Sequence, residues 1–470
     1  MKAGREMLRR RAYERLLDWK RNNHRKALLV DGARQIGKTH LIEEFARREY
    51  RDYVKVDFIK DAEAAATLSG ARSAGQVIER VSLMLGKAIV PEETLFFFDE
   101  VQEFPDIVTF SKYLVEDGRF DVAMSGSLLG VELRHVRSFP VGYLHIEHMF
   151  PLDFEEFCWS QGVPSSVLDT VRSCYEHREP VDEALHGRLV DLFRLYLVVG
   201  GMPEAVQRFV DAEGDLGAVR DVQTDLVRLY REDISKYAGN RAMQVKAIFD
   251  AMPSQLNKEN KRFQLKSLSG EAKFERYAND FAWLVGAGAA LKTCNVTEPK
   301  YMLARSMEEG RFKLYSSDTG MLLAQYPTGV ALAALSGSKS VNFGAVYENA
   351  VAQALAAAGA SLYYYHHSRR GEVDFLLETR SAKVLPIEVK SGKDYKLHLA
   401  LNNLLGSEEY DIDQAVVLSE ANVSIEYRMD KPVYYLPLYM AYLVAGETAG
   451  PCDSSFNGYK VELPSFAEWA

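Results

Sequence analysis

Gly32-Ala33-Arg34-Gln35-Ile36-Gly37-Lys38-Thr39 spells G-x-x-x-x-G-K-[ST]. The apolar run Ala27-Leu28-Leu29-Val30 precedes it and Leu41-Ile42-Glu43-Glu44-Phe45-Ala46 follows, so a strand feeds a glycine-rich loop that opens a helix. Such a turn aims successive backbone N–H groups at one point, and the helix adds the positive end of its dipole. A triphosphate is the expected occupant. Lys38 would reach the β- and γ-phosphates and the Thr39 hydroxyl would sit on Mg²⁺, which makes ATP and Mg²⁺ the expected cofactors.

Working outward, short apolar segments at 27–31, 53–58, 94–98, 120–124 and 143–147 alternate with helical stretches. That alternation implies βαβ units and a parallel sheet. Leu95-Phe96-Phe97-Phe98 has the composition of a strand buried on both faces, and it ends in Asp99-Glu100. Ligands bind at the carboxyl ends of such strands, so Asp99 is expected in the Mg²⁺ shell and Glu100 beside the attacking water. Ser125, in Ser125-Gly126-Ser127, would arrive near the γ-phosphate from the next strand, or cap the following helix. Arg134 and Arg137 are both candidates to neutralise transition-state charge.

The 470 residues exceed what one hydrophobic core organises and should divide into about three domains. With 47% hydrophobic and 26% charged residues the composition is that of a globular protein. A formal charge of −9 excludes a blanket nucleic-acid coat and leaves room for local basic patches. Cys158, Cys174, Cys294 and Cys452 are too widely spaced for a zinc box or a CxxC pair, which suits a reducing cytoplasm. Residues 1–20 are basic without a signal-peptide core, and Leu8, Tyr13, Leu16, Leu17 and Trp19 recur at near-helical spacing, as in a docking helix. The longest apolar stretch, 433–446, contains Pro437 and falls short of the ~20 residues that span a bilayer. No membrane segment is expected, and the expected location is the cytoplasm.

Residues 152–237 carry helical periodicity, broken at Gly200-Gly201-Met202-Pro203, where a glycine cap followed by proline is sufficient explanation. Helices ahead of two short strands, 290–296 and 311–315, suggest a winged helix. Lys258, Lys261, Arg262 and Lys266 form a basic cluster there, either a nucleic-acid contact or a solvated face. Residues 333–341 read as a linker. A second α/β unit follows, with a helix at 343–358, strands at 362–366, 372–378 and 384–390, a helix at 397–405 and a strand at 414–418.

The P-loop, Phe97-Phe98-Asp99-Glu100-Val101-Gln102, Ser125-Gly126-Ser127, Phe150-Pro151-Leu152-Asp153-Phe154-Glu155-Glu156-Phe157 and Gly200-Gly201-Met202-Pro203-Glu204 together resemble prokaryotic AAA-type ATPases that carry a C-terminal restriction-endonuclease-like domain of unknown function. The resemblance spans nearly the whole chain. It implies an α/β architecture: a P-loop AAA+ ATPase core (1–150), a helical lid (151–240), a winged-helix-like region (241–330) and a PD-(D/E)XK nuclease-like domain (331–470).

In that last region, a hairpin turning at Ser381 would pair Asp374 with Glu388 and Glu372 with Lys390. Val373, Phe375, Leu377, Leu385, Ile387 and Val389 then share the apolar face, and Asp374, Glu388 and Lys390 the other. Opposed carboxylates repel unless a cation lies between them. With Glu348 from the preceding helix they make the D…E-x-K arrangement of PD-(D/E)XK nucleases, with Glu348, Asp374 and Glu388 on Mg²⁺ and Lys390 at the scissile phosphate. The plainer reading is an inert face on which Lys390 bridges Glu372 and Asp374. Pro386 demands an edge strand or a bulge. His366, His367, Arg369 and Arg370 are phosphate contacts or ordinary loop residues.

The expected activity is ATP hydrolysis coupled to binding or processing of nucleic acid, DNA foremost. The alternative is a nucleotide-controlled switch that binds a protein or nucleic-acid partner through a catalytically silent nuclease-like domain. A second copy of the chain is a further expected partner.

Overall fold

The computed structural model describes residues 8–22, 25–61, 63–127, 140, 142–268, 270, 273–338, 343–392, 396 and 398–447. Helix α1 (Arg11–Asn22) turns Ala12, Leu16 and Trp19 into the core, as its spacing predicts. Then come β1 (Ala27–Gly32), α2 (Lys38–Glu49), β2 (Asp52–Asp57), α3 (Ala64–Leu68), α4 (Ala74–Leu85), β3 (Thr94–Asp99), α5 (Asp106–Asp117), β4 (Asp121–Ser125) and β5 (Leu144–Met149). These strands form one parallel sheet in the order β2-β3-β4-β1-β5, each within two residues of its expected bounds. Alternation sorts β3 between two cores: Leu95 and Phe97 face the side of α1 and α2, and Phe96 and Phe98 the side of α4 and α5. The order makes the ends of β1, β4 and β3 neighbours, which brings the P-loop, Ser125 and Asp99 together.

Next come α6 (Phe154–Ser160), α7 (Ser165–His177), α8 (Glu183–Val199), α9 (Pro203–Asp211), α10 (Leu216–Tyr237), α11 (Ala242–Leu256) and α12 (Phe274–Gly286). A capping box starts α6: Asp153 accepts from the Glu156 N–H at 2.9 Å and Glu156 accepts from the Asp153 N–H at 3.3 Å. The remainder comprises β6 (Ala290–Val296), β7 (Met307–Ser316), α13 (Thr319–Ala324), α14 (Thr328–Leu335), α15 (Gly344–Ala357), β8 (Tyr363–His367), β9 (Gly371–Glu378), β10 (Val384–Val389), α16 (Leu399–Leu405), β11 (Ala415–Ser419), β12 (Ser424–Arg428), β13 (Lys431–Pro437) and α17 (Ala441–Ala445).

The structure corrects several expectations in this half. Strands β6 and β7 are no separate winged hairpin, since they close one edge of an eight-stranded mixed sheet, β12-β13-β11-β10-β9-β8-β6-β7. The expected break at 331 therefore falls within one sheet: β6 pairs in parallel with β8 across it. The start of the expected linker is helical, and Ala334 is buried; 339–341 lie outside the described residues. Pro386 sits in an interior strand without a bulge. The β10–β11 ladder begins only at Ile387, so the absent N–H of Pro386 removes no bond from it. The β9–β10 register is the expected one, with Ile387 opposite Phe375, the last pair before Glu388 and Asp374.

Gly200-Gly201 is more than a helix cap. A Cβ on Gly200 would lie 2.4 Å from Asp318 Oδ1, and one on Gly201 would lie 2.0 Å from the Leu152 carbonyl. The Leu152 N–H donates to Gly201 O at 2.7 Å, and the Gly201 N–H donates to Asp318 Oδ2 at 2.5 Å. Three segments thus cross with no room for side chains: the exit from the first sheet, the α8–α9 turn and the exit from β7.

Candidate functional site

Gly32 leaves β1 at φ 133°, where a Cβ would meet Met149 O at 2.3 Å, and Gly37 adopts φ 87° at the start of α2. No side chain caps that helix, so its first N–H groups face the loop's hollow. Lys38 is buried and donates from Nζ to Gly32 O at 3.1 Å and Ala33 O at 2.7 Å. Burial pulls its ammonium down to about 8, against the pull of Glu100, Asp31 and Asp99.

Asp99, buried at the end of β3, gathers donors. Thr39 Oγ1 reaches its Oδ1 at 3.0 Å, Ser125 Oγ donates to the same oxygen, and Lys55 Nζ lies 2.9 Å from Oδ2. Lys55, on β2, also pairs with Glu43 at 2.9 Å. Its role was not legible in sequence, because a lysine at an alternating strand position reads as solvent-facing. Glu100 holds φ 56°, a left-handed conformation that a non-glycine residue adopts at a cost of about 1–3 kcal/mol, and its carboxylate accepts from Gln102 Nε2 at 2.5 Å. A hydroxyl and a carboxylate beside uncapped helix amides and an ammonium are the donor set that a Mg²⁺–triphosphate needs. Arg134 and Arg137 lie outside the described residues.

The loop is held from four other segments. Arg34 is paired with Asp233 of α10, and the Tyr230 hydroxyl donates to Arg34 O at 3.0 Å. Arg10 Nη1 donates to Ile36 O at 3.1 Å. A Cβ on Gly37 would touch Pro203 Cγ at 3.8 Å, and one on Gly288 would press on Ala33 at 2.8 Å.

The second cluster forms in the C-terminal sheet, and it includes residues the sequence reading missed. Glu348, Asp374, Glu388 and Lys390 do converge, but Lys313 of β7, fully buried, stands among them. Its Nζ lies 2.8 Å from Glu372 Oε1, 3.3 Å from Glu348 Oε2 and 3.3 Å from Asp374 Oδ1. Lys261 pairs with Glu348, and the Tyr315 hydroxyl donates to Glu348 Oε2 at 2.9 Å. The Val389 N–H donates to Asp374 Oδ2 at 2.9 Å. Lys390 pairs with Glu388 at 2.8 Å and does not bridge Glu372 and Asp374, a task Lys313 performs instead. In a flat sheet the three ladder steps from β7 to β9 would span about 14 Å, so the sheet must curl to bring Lys313 to Asp374.

Burial raises Asp374 and pushes Glu388 up to about 7. Glu348 is held below the usual carboxylate range because Lys313 and Lys261 outweigh its burial. Alternation in Arg311-Phe312-Lys313-Leu314-Tyr315 puts Lys313 and Tyr315 on the face opposite Phe312 and Leu314, but does not say that this face is buried. Among the described residues, no group of three or more His, Cys, Asp or Glu side chains is arranged to hold a metal ion. The expected basic cluster disperses. Lys261 turns inward to Glu348, Lys258 donates to Gln255 at 3.2 Å, and Arg262 donates to Asn260 at 2.9 Å. Arg370 is committed to Tyr410 and Glu409. No described helix is long and apolar enough to cross a membrane.

Residues 24–158 match a family described as AAA domain. Residues 190–331 match a domain of unknown function, DUF8612, and residues 343–439 another, DUF4143. Among solved structures, the chain aligns with the Walker-type ATPase PABY2304 of Pyrococcus abyssi at 14% identity, covering 68% of this chain and 96% of that one, with a TM-score of 0.42. It also aligns with the RuvB Holliday junction branch migration motor of Thermotoga maritima (11% identity, 65% and 92% covered, TM-score 0.29). A third alignment is with the Hsp104–ADP complex of S. cerevisiae (13% identity, 73% and 43% covered, TM-score 0.26). No curated protein matches the chain. The first sheet and its P-loop are an AAA-type ATPase core.

Proposed function

We propose that the protein hydrolyses ATP at the P-loop and transmits its nucleotide state to the C-terminal sheet, which engages nucleic acid, DNA foremost, or a protein partner. The observation that carries this reading is the grip on the loop: Arg10, Pro203, Gly288 and the Tyr230–Asp233 pair approach it from four segments. A loop touched on so many sides cannot close on phosphates without moving its neighbours.

In the proposed reaction, the amides at the start of α2 and the Lys38 ammonium bind the β- and γ-phosphates. Thr39 and, through water, Asp99 would hold Mg²⁺, which when bound neutralises phosphate charge. Glu100 orients the attacking water and takes its proton as the water oxygen bonds to the γ-phosphorus and the bond to the β–γ bridging oxygen breaks. Ser125, beside Asp99, is placed to respond to the γ-phosphate. A second copy of the chain is a further proposed partner, with Arg134 or Arg137 completing the site in cis or across the contact.

Nucleic acid is favoured by Arg262 and Arg311; burial and these two cations hold the His366 imidazole below its usual range against the pull of Glu372, while Arg311 also pairs with Glu308 at 3.2 Å. The experiment uses Glu100→Gln, which should lower ATP turnover by about 10²–10⁴-fold while keeping ATP bound. Anisotropy of a labelled DNA duplex should then report tighter binding with ATP than with ADP. Equal binding in the two states would remove the coupling. A second reading, Mg²⁺-dependent cleavage by Asp374, Glu388 and Lys390 with Glu348 on the metal, is supported by the register of β9 and β10 and predicts nicking that is lost in Asp374→Ala.

A further inference from the structure

We infer that Lys313 is a resident cation, its ammonium group standing where a divalent metal would neutralise the carboxylates of the C-terminal sheet, so that this cluster takes up no Mg²⁺ and cleaves no phosphodiester. The inference deepens the nucleotide-switch reading and rests on it for its purpose: the sheet becomes a silent element that is moved rather than one that reacts.

Three observations carry it. The first is convergence. Carboxylates from three positions, Glu348 on α15 and Glu372 and Asp374 on β9, meet one ammonium within 2.8–3.3 Å, and that lysine has no exposed surface. A dication at the same point would lie against a like charge in a dry interior, where repulsion is weakly screened.

The second is saturation. Both oxygens of Glu348 and both of Asp374 already accept hydrogen bonds: Lys261 takes Glu348 Oε1, Lys313 and Tyr315 share Glu348 Oε2, Lys313 takes Asp374 Oδ1 and the Val389 N–H takes Asp374 Oδ2. A hard cation gathers about six oxygens, waters among them. Each Glu348 or Asp374 oxygen it took here would cost an existing bond.

The third is charge. Glu348, Glu372, Asp374 and Glu388 face Lys261, Lys313 and Lys390, so four carboxylates meet three ammonium groups. Among the described carboxylates of the cluster, Glu388 Oε2 is the one buried oxygen left without a hydrogen-bond partner. Nothing remains that calls for two further positive charges. Lys313 also lies over the Tyr364 ring at 5.2 Å, which adds an aromatic face to the carboxylates around the ammonium.

The test uses the full chain, freed of nucleotide, with Mn²⁺ as probe. Wild-type protein should bind the same amount of Mn²⁺ as Asp374→Asn and Glu388→Gln by electron paramagnetic resonance. Lys313→Met should melt lower than wild type in EDTA, regain much of the loss in millimolar Mn²⁺ and retain an additional ion. Mn²⁺ bound by the wild type and lost in both carboxamide variants would overturn the inference. So would nicking of supercoiled plasmid by the wild type that disappears in Glu388→Gln, or a Lys313→Met chain that is stable in EDTA and takes up no ion. Should Lys313→Met fail to fold, the wild-type comparison decides alone. ADP affinity measured on the same samples reports the P-loop separately, so failure of the ATPase reading is distinguishable from failure of this one.

Discussion

Burial lowers the Lys38 ammonium to about 8, so in mildly alkaline solution part of the free protein lacks the charge that meets the phosphates. Bound phosphate favours the charged form and raises that value again, so binding must take up a proton wherever free Lys38 is partly neutral. Calorimetry of ADP binding at about pH 8.5 should show a heat that depends on the buffer's ionisation enthalpy, and much less dependence at about pH 7. Identical heats in different buffers at the higher pH would contradict the role given to Lys38. Asp318 titrates with the opposite consequence. Burial pushes it up to about 6 despite the N–H groups of Gly201, Met321 and Gly320. Because its folded value lies above its unfolded one, the folded state holds the proton longer, and stability falls as pH rises from about 4 to about 6, by up to about 3 kcal/mol. Urea melts at the two ends of that range should show this slope in the wild type and a flatter one in Asp318→Asn, which also loses about 1–3 kcal/mol from the bond to Gly201. An unchanged slope would mean that Asp318 is not the group responsible.

Helix α10 touches the P-loop directly. Its Tyr230 and Asp233 lie one turn apart on one face, and both address Arg34. Removing both contacts in Tyr230→Phe/Asp233→Ala should speed release of a fluorescent ADP by about tenfold, the equivalent of about 1.4 kcal/mol, in stopped-flow measurements. An unaltered release rate would detach α10 from the nucleotide. At this scale the sequence was most readable where pattern is local. Strand β3 announces itself by four apolar residues in a row, and α8 and α10 by their 3.6-residue spacing. What escaped depends on partners far along the chain. Strands β6 and β7 read as a hairpin of their own because nothing within 290–316 says that β8 will pair beside them. Residues 433–446, weighed only against a membrane span, became β13 and the buried helix α17. Lys313 was passed over since a strand lysine reads as solvated until Glu348 and Asp374 are known to meet it, and Gly200-Gly201 looked like a simple cap because its partners Leu152 and Asp318 lie far along the chain, Asp318 117 residues from Gly201.

At the scale of the molecule, a crossing of three segments links the two sheets. Leu152 leaves the ATPase core, Gly201 lies in the turn between α8 and α9, and Asp318 follows β7, the strand that carries Lys313. In the proposed coupling, movement of the P-loop would have a short covalent and hydrogen-bonded route to the C-terminal sheet, without requiring that sheet to react. The architecture makes sense only if a nucleotide is the input. The most direct measurement is titration calorimetry of ATP with Mg²⁺ on the purified chain and on Lys38→Ala. Micromolar binding by the wild type and a loss of about a hundredfold or more in the variant is the expected result, as befits a buried ammonium on phosphate. No binding by the intact chain, or equal binding by both, would contradict the account.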